Sequence, residues 1–371
     1  MKFEEVLAED LIEEISMGPF GSNIKKECFT DSGIAVLNGS NLVGYALKED
    51  SFGYITEEKA DSLGKANASR GDVVITHRGT LGQAVFIPED SKFDRYVISQ
   101  SQFRIRCNER ILPEYMVYYL HTPLGQHKLL SNASQVGVPA LGRPTSTYKT
   151  ITFGVPDIDT QKKIVGVLET IRHKIENNNK INRNLSKQAD AIYKERFIIN
   201  PDEGWPIGRL SDLITVKYGK DHKKLEDGSI PCYGSGGVMR YVEKSLYDQE
   251  SVLIPRKGTL NNVMYVNTPF WSVDTMFYTM MKVPNAAKFV FHFVKEKDLL
   301  SMNAGSAVPS MTTDILNAME LVIPSEEVLA QFEEDVQPLY KAIQENEKEN
   351  IKLAELRNAL LPKLMSGEVD V

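Results

Sequence analysis

Cysteine is scarce in this chain: Cys28, Cys107 and Cys232 are the three in 371 residues, and they lie far apart. Such spacing makes neither a disulfide framework nor a zinc-ligand pair. Long apolar runs are missing as well. No stretch approaches the roughly 20 apolar residues that cross a bilayer, and the opening MKFEEVLAEDLIEE is acidic rather than leader-like. The expected setting is the cytoplasm, with no membrane partner. Nor is positive charge in excess: 43 Lys and Arg face 50 Asp and Glu, a net charge of −7, which taken alone argues against nucleic acid. Catalytic signatures are absent too. Tyr233-Gly234-Ser235-Gly236-Gly237 is glycine-rich but lacks the Gly-Lys-Ser/Thr ending of a phosphate-binding loop, so it reads as a turn between strands. His77, His121, His127, His173, His222 and His292 form no metal-ligand pattern. There is no Gly-x-Ser-x-Gly elbow, and no Asn-Pro-Pro-aromatic tetrapeptide such as adenine methyltransferases use on an extruded base. Glu89-Asp90-Ser91-Lys92 reads as a solvated turn after Pro88 rather than a nuclease pair.

What the sequence does contain is a repeat. From Pro156 to about Asn200, one row is formed by Ile164, Leu168, Ile171, Ile175, Asn178, Asn182, Leu185, Ala189 and Ile192. Its steps of three and four residues make a heptad seam, the pattern of a helix packed lengthwise on a partner. Moving 168 residues along the chain gives Phe332, Val336, Leu339, Ile343, Asn346, Asn350, Leu353, Arg357 and Leu360. Each copy follows a short apolar run ending in proline, ITFGVP and MELVIP. A lone helix cannot bury such a stripe, so the two are expected to bury each other. An antiparallel register in which paired numbers sum to 528 sets Asn178 against Asn350 and Asn182 against Asn346. It also sets Ile175 against Leu353, Leu185 against Ile343, Leu168 against Leu360 and Ile192 against Val336. Polar layers in such a seam select register and orientation at some cost in stability. Charge favours this pairing over self-association: residues 156–200 carry +3 and residues 324–371 carry −6. Pro338 is expected to break or kink the second helix.

The fold class is α+β, with two mixed lobes separated by these helices in a pseudo-two-fold tandem. Residues 1–155 form the first lobe, 156–200 the central helix, 201–323 the second lobe and 324–371 the C-terminal helix. Strands are expected at Ile34–Leu37, Asp72–Thr76, Ala84–Ile87 and Phe103–Cys107, with a helix from Pro113. The second lobe echoes this order. GDVVITHRGTLGQAVFI (71–87) matches ESVLIPRKGTLNNVMYV (250–266), the helix from Pro113 matches Ala287–Val294, and Gly137-Val138-Pro139 matches Ala307-Val308-Pro309. About forty helical residues at roughly 1.5 Å each span on the order of 60 Å. A body with two such lobes suits a target in two separated parts, as duplex DNA with two half-sites is.

Residues 92–155 hold eight Lys and Arg against three acids, so segregated charge can leave a basic face on an acidic chain. Polar loops supply side chains suited to phosphates and base edges: Ser22, Asn23, Lys25, Lys26, Arg78, Thr80, Gln83, Gln135 and Arg143 in the first lobe. The second lobe offers Lys220, Lys223, Lys224, Ser235, Arg256, Lys257, Thr259, Asn261 and Asn262. Singly each reads as a solvated surface residue. Recurrence around one Gly-Thr-Leu turn singles out Arg78 with Arg256 and Thr80 with Thr259.

With its two Pro-led, Ile/Leu-rich helices, its Gly18-Pro19-Phe20-Gly21-Ser22 loop and its GDVVITHRGTLG turn, the whole chain resembles the specificity subunit of type I restriction–modification enzymes. The resemblance implies a non-catalytic DNA reader. Each lobe would bind half of a bipartite site, and the helices would act as spacer ruler and docking platform for two methyltransferase subunits. Restriction subunits that translocate DNA would join them. It implies no cofactor on this chain, since S-adenosylmethionine, ATP and Mg belong to the partner subunits. In the family a Gln follows the helix-starting Pro. Here it is Gln161, while the second copy has Gln331 later and among different neighbours. The alternatives are a scaffold spacing two protein-binding lobes without DNA, or a self-contained enzyme with an unfamiliar site.

Overall fold

The computed structural model describes residues 2–134, 137–302 and 309–371, leaving out the side chain of Ser22. The chain divides into two compact units, Met1–Asn177 with Glu349–Val371, and Asn178–Lys348.

In the first unit a four-stranded antiparallel sheet runs in the order Ile12–Met17, Gln102–Cys107, Asp72–Thr76, Ala84–Phe86. Asp72–Thr76 is buried at every position. Its side chains alternate between two cores, as the period of two requires. Val73 and Ile75 pack with the helix Pro113–Leu120, whereas Val74 joins Val85 under a second sheet. That second sheet has the order Phe29–Thr30, Gly53–Ile55, Ile34–Val36, Arg95–Val97, Asn67–Ser69, with Ile34–Val36 and Arg95–Val97 parallel. The strands expected from sequence are thus present, with ends moved by a residue at three of the four.

The second unit repeats the plan. Its four-stranded sheet runs Ile214–Tyr218, Met276–Met281, Ser251–Pro255, Met264–Val266. Val252 and Ile254 face the helix Ala287–Lys295, and Leu253 faces the other core. A second sheet of Gly237–Val242, Asp227–Gly234 and Trp271–Ser272 again contains one parallel pair.

Two long helices, Ile158–Lys194 and Glu326–Ser366, contribute to both units. Asp157 and Ser325, one residue after the prolines, cap them: the Thr160 N–H reaches the Asp157 carboxylate at 2.9 Å, and the Val328 N–H reaches Ser325 Oγ at 3.4 Å. Within the first unit, Ile164 and Leu168 pack with Leu360, Leu361, Leu364 and Met365, and Lys174 meets Glu349 at 3.1 Å. Within the second, Ala189 and Tyr193 pack with Phe332, Val336 and Leu339. There Asn346 donates to Asn182 at 2.7 Å, and Arg196 meets Asp335 at 2.5 Å. Rising numbers on one helix meet falling numbers on the other, so the pairing is antiparallel in each unit. The Asn182–Asn346 contact is one of the pairs that the 528 register requires. Every seam position named from the sequence, from Ile164 to Leu360, is buried or half-buried.

Pro338 does not break the second helix, which runs unbroken from Glu326 to Ser366. Pro338 and Glu334, whose carbonyl loses its N–H partner there, both lie on the exposed side, where water can take the vacated bond.

Candidate nucleic-acid interface

In the first unit the buried strand Asp72–Thr76 delivers an exposed turn. Arg78, Gly79 and Thr80 are all exposed, and the turn closes through the Thr76 N–H to the Gln83 carbonyl at 2.9 Å. Gly79 has φ of 89°, which a β-carbon would strain. Two neighbouring segments hold this turn. The His77 N–H bonds the Ser101 carbonyl at 2.9 Å, and its ring Nε2 lies 3.1 Å from the Gln100 carbonyl. On the other side the Leu141 N–H bonds the His77 carbonyl at 2.8 Å, and the Gly79 N–H bonds the Pro139 carbonyl at 2.9 Å. The 18–26 loop arrives alongside. The Gly18 N–H bonds the Gln102 carbonyl at 2.8 Å, and a β-carbon at Gly18 would lie 1.9 Å from the Ser99 carbonyl oxygen. The three polar loops singled out in the first lobe are therefore brought together. Phe20, Asn23, His77, Arg78 and Gln100 share the lining of an open cavity of about 600 Å³.

The second unit builds the same site. The Arg256 N–H bonds the Thr275 carbonyl and the Met311 N–H bonds the Arg256 carbonyl, each at 2.9 Å. Arg256 Nη1 donates to the Asp274 carbonyl at 3.2 Å, and its guanidinium lies 5.4 Å from the centre of the Tyr218 ring. Gly219 repeats Gly18: a β-carbon there would lie 2.0 Å from the Val273 carbonyl oxygen.

These backbone bonds correct one pairing. The sequence set Arg78 beside Arg256, but isolated bridges join Arg78 to Ala140 and Lys257 to Ser310. Arg78 therefore corresponds to Lys257, and His77 to Arg256. Matching by residue type misleads here because position is set by the ladder, not by side-chain charge.

The other candidates divide into exposed and bracing groups. Asn23, Lys25, Lys26, Lys220, Lys223, Lys224, Lys257 and Thr259 are exposed. Arg143 is exposed too, in the left-handed region with φ of 48°, where bulky residues are uncommon. Gln83 is half-buried, with its Oε1 buried and lacking a partner among the described residues. Asn261 is held inside its own unit, donating to Asp298 at 3.0 Å and accepting from the Leu300 N–H at 3.0 Å. Asn262 donates to the carbonyl of half-buried Ser235 at 2.8 Å, tying two turns together. Gln135 and the side chain of Ser22 lie outside the described residues, as do Ala307 and Val308 of the second Val-Pro loop.

The basic content of residues 92–155 is largely consumed by ion pairs. Arg104, 4% exposed, meets Glu14 at 2.6 Å and Asp72 at 3.5 Å. Arg106 also meets Asp72, at 2.9 Å, Arg95 meets Asp61 at 2.5 Å, Arg110 meets Glu4 at 3.7 Å and Lys128 meets Glu5 at 3.7 Å. Their acids come from outside that window, so five of its eight cations are partnered within the fold. The Arg104 hydrogen bond holds the Glu14 carboxyl below its usual range, despite the opposing effect of burial. Of the other cations in that window, Lys92 and Arg143 stand exposed on loops and Lys149 at the end of the helix Pro144–Lys149.

Three features have a place in the structure that the sequence reading did not give them. Asn38–Asn41 follows the parallel strand Ile34–Val36 as the Gly234–Gly237 turn follows Asp227–Gly234, and Asn38 accepts from the Ser40 N–H at 2.9 Å. The N-G-S-N string was itself a turn signal. Phe20 is 83% exposed on an otherwise polar loop. Gln161 is fully buried and anchors the first helix: it accepts from the Leu112 N–H at 2.9 Å and donates to the carbonyls of Arg110 (2.9 Å) and Pro156 (3.0 Å). The position 168 residues on is Leu329, also buried, while Gln331 is exposed and donates to its helix neighbour Asp335 at 3.2 Å.

Comparison with known proteins agrees with this duplicated plan. The family model of the type I restriction modification DNA specificity domain matches twice, over residues 17–187 and 202–355. The type I restriction enzyme MjaIX specificity subunit of Methanocaldococcus jannaschii is 23% identical over 360 residues, covering 85% of this chain and 82% of that protein. The HindI specificity subunit of Haemophilus influenzae is 20% identical, covering 82% and 88%. The crystal structure of the type I restriction–modification S subunit from M. genitalium shares the fold, with a TM-score of 0.60 at 16% identity, covering 98% of this chain and 96% of that one. With two matched copies of the domain, each spanning one of the duplicated sites, the chain belongs to the type I restriction–modification DNA specificity family.

Proposed function

We propose that each unit reads one half of a bipartite duplex DNA site, and that the antiparallel helix pair sets the length of the unread spacer between the halves. The observation that carries this reading is the repetition of one turn. Each unit ends a fully buried strand in a turn whose Gly and Thr are exposed, with an exposed cation before them, hooked by backbone bonds to the same two neighbouring segments. Cations on exposed loops suit phosphates, and the polar side chains beside them suit base edges. On this reading the chain performs no chemistry and needs no cofactor. Two methyltransferase subunits dock on the helices and units and bring S-adenosylmethionine, and restriction subunits with ATP and Mg join them in the cytoplasm.

The test is methylation mapping in cells carrying this chain with its modification subunits. The expected result is one bipartite sequence with a fixed spacer. A contiguous motif, or methylation independent of this chain, would defeat the reading. Duplex binding should also fall steeply with salt, as phosphate contacts release counterions.

A further inference from the structure

His77 and Arg256 share no side-chain chemistry, yet they are held in the same way. Each gives its backbone N–H to one carbonyl, Ser101 or Thr275, and its side-chain N–H to the carbonyl one residue earlier, Gln100 or Asp274. Each also accepts on its own carbonyl, from Leu141 or Met311. Because a carbonyl only accepts, His77 Nε2 carries the proton in this contact. The tether removes rotamers, so the free edge of the ring or guanidinium points in a set direction. In the second unit the Tyr218 ring adds a further support to the guanidinium.

A residue that grips phosphate needs no such tether, since a charge on a flexible stem suffices, as on exposed Lys25, Lys26 and Lys257. Reading a base edge does need orientation. His77 also opens onto the cavity lined by Phe20, Asn23 and Arg78. Burial pushes its imidazole below the ordinary histidine range, so the ring is neutral at physiological pH and brings no charge for a phosphate.

We propose that positions 77 and 256 are one base-reading position used twice, His77 setting the base preference in the half-site of the first unit and Arg256 in that of the second. Their neighbours Arg78 and Lys257 hold phosphate whatever the sequence. Arg256 fits the two acceptors of guanine in the major groove, and His77 fits a single contact to a base edge. The proposal rests on the DNA-reading function given above.

The experiment uses the full chain assembled with its modification subunits and a randomised bipartite duplex library, with enriched sequences read out. Arg256→Ala should reduce the preference for guanine at one position of one half-site about ten-fold, leaving the other half-site unchanged. His77→Ala should flatten one position in the opposite half-site, and His77→Arg should create a guanine preference there. His77→Gln keeps a side-chain donor for the Gln100 carbonyl and should change the preferred base without lowering the unfolding temperature. Arg78→Ala with Lys257→Ala should weaken binding to all sequences alike. Weakening in that double variant, with base preferences intact in every folded variant at 77 and 256, overturns the proposal and leaves DNA reading in place. Undiminished binding in the double variant, with no variant altering preference, overturns both.

Discussion

Replacing Gln161 by alanine tests how the first long helix is anchored to its unit. The side chain is fully buried and satisfies three backbone groups: the Leu112 N–H, the Arg110 carbonyl and the Pro156 carbonyl. Truncation orphans all three. A buried group left unpaired costs about 1–3 kcal/mol. The carbonyls keep a second lone pair and tolerate the loss better, so the N–H dominates and the sum is about 3 kcal/mol. With two units in the chain, a single unfolding midpoint is not a clean measure. Native-state hydrogen exchange at the Leu112 amide is the sharper assay, since its bond to Gln161 is lost directly. Exchange there should accelerate on the order of a hundred-fold, which is about 3 kcal/mol, while amides of the second unit stay protected. Acceleration below about three-fold would refute the anchoring role. Gln161→Leu separates polarity from volume, because Leu329 fills the corresponding place in the second helix without any amide.

Further expectations concern the second unit and the helix pair. Burial opposes ionisation of Asp190, but hydrogen bonds from His292 and Lys295 overcome it and hold its carboxyl at about 2. Its folded value lies below the unfolded one, so about 2 kcal/mol of stability is present above about pH 4 and is lost as the pH falls toward 2. Asp190→Asn should destabilise the second unit at pH 7 and flatten that acid limb; an unchanged slope would remove the ion pair from the account. Asn182→Leu alone should destabilise the helix pair by about 1–2 kcal/mol, because Asn346 loses the partner it meets at 2.7 Å. Adding Asn346→Leu should recover stability but loosen register, seen as heterogeneous crosslinking between cysteines introduced at nearby seam positions. Ile175→Cys and Leu353→Cys should form a disulfide readily in the otherwise unchanged chain, and failure would disprove the register at that layer. Inserting one heptad in both long helices should lengthen the spacer found by methylation mapping, and an unchanged spacer would disprove the ruler.

Legibility followed the range of the forces involved. The strand Asp72–Thr76 and the seam from Ile164 to Leu360 could be read because burial on a regular element imposes a period on neighbouring residues. The equivalence of His77 with Arg256 already lies in the residue-by-residue match of 71–87 to 250–266, and the carbonyls that their N–H groups reach across the sheet decide it. Residue identity pointed one position away, to Arg78. The apparent basic surplus of residues 92–155 failed for a related reason: Glu14 and Asp72 neutralise Arg104 and Arg106 from outside that window. Asn261 shows the same limit, for its partners at Asp298 and Leu300 lie on a separate loop.

By itself, then, the sequence determined the two-copy plan, the long helices and the antiparallel register of their seam, because heptad spacing and matched asparagines are local patterns with one economical way to be buried. Only the tertiary structure decided which loop residues stand exposed, which brace the turns, which cations are spent inside the fold, and that the second helix passes through Pro338 unbroken. Those outcomes depend on partners brought close by folding, and on which side of an element meets water. Neither is encoded in the spacing of adjacent residues.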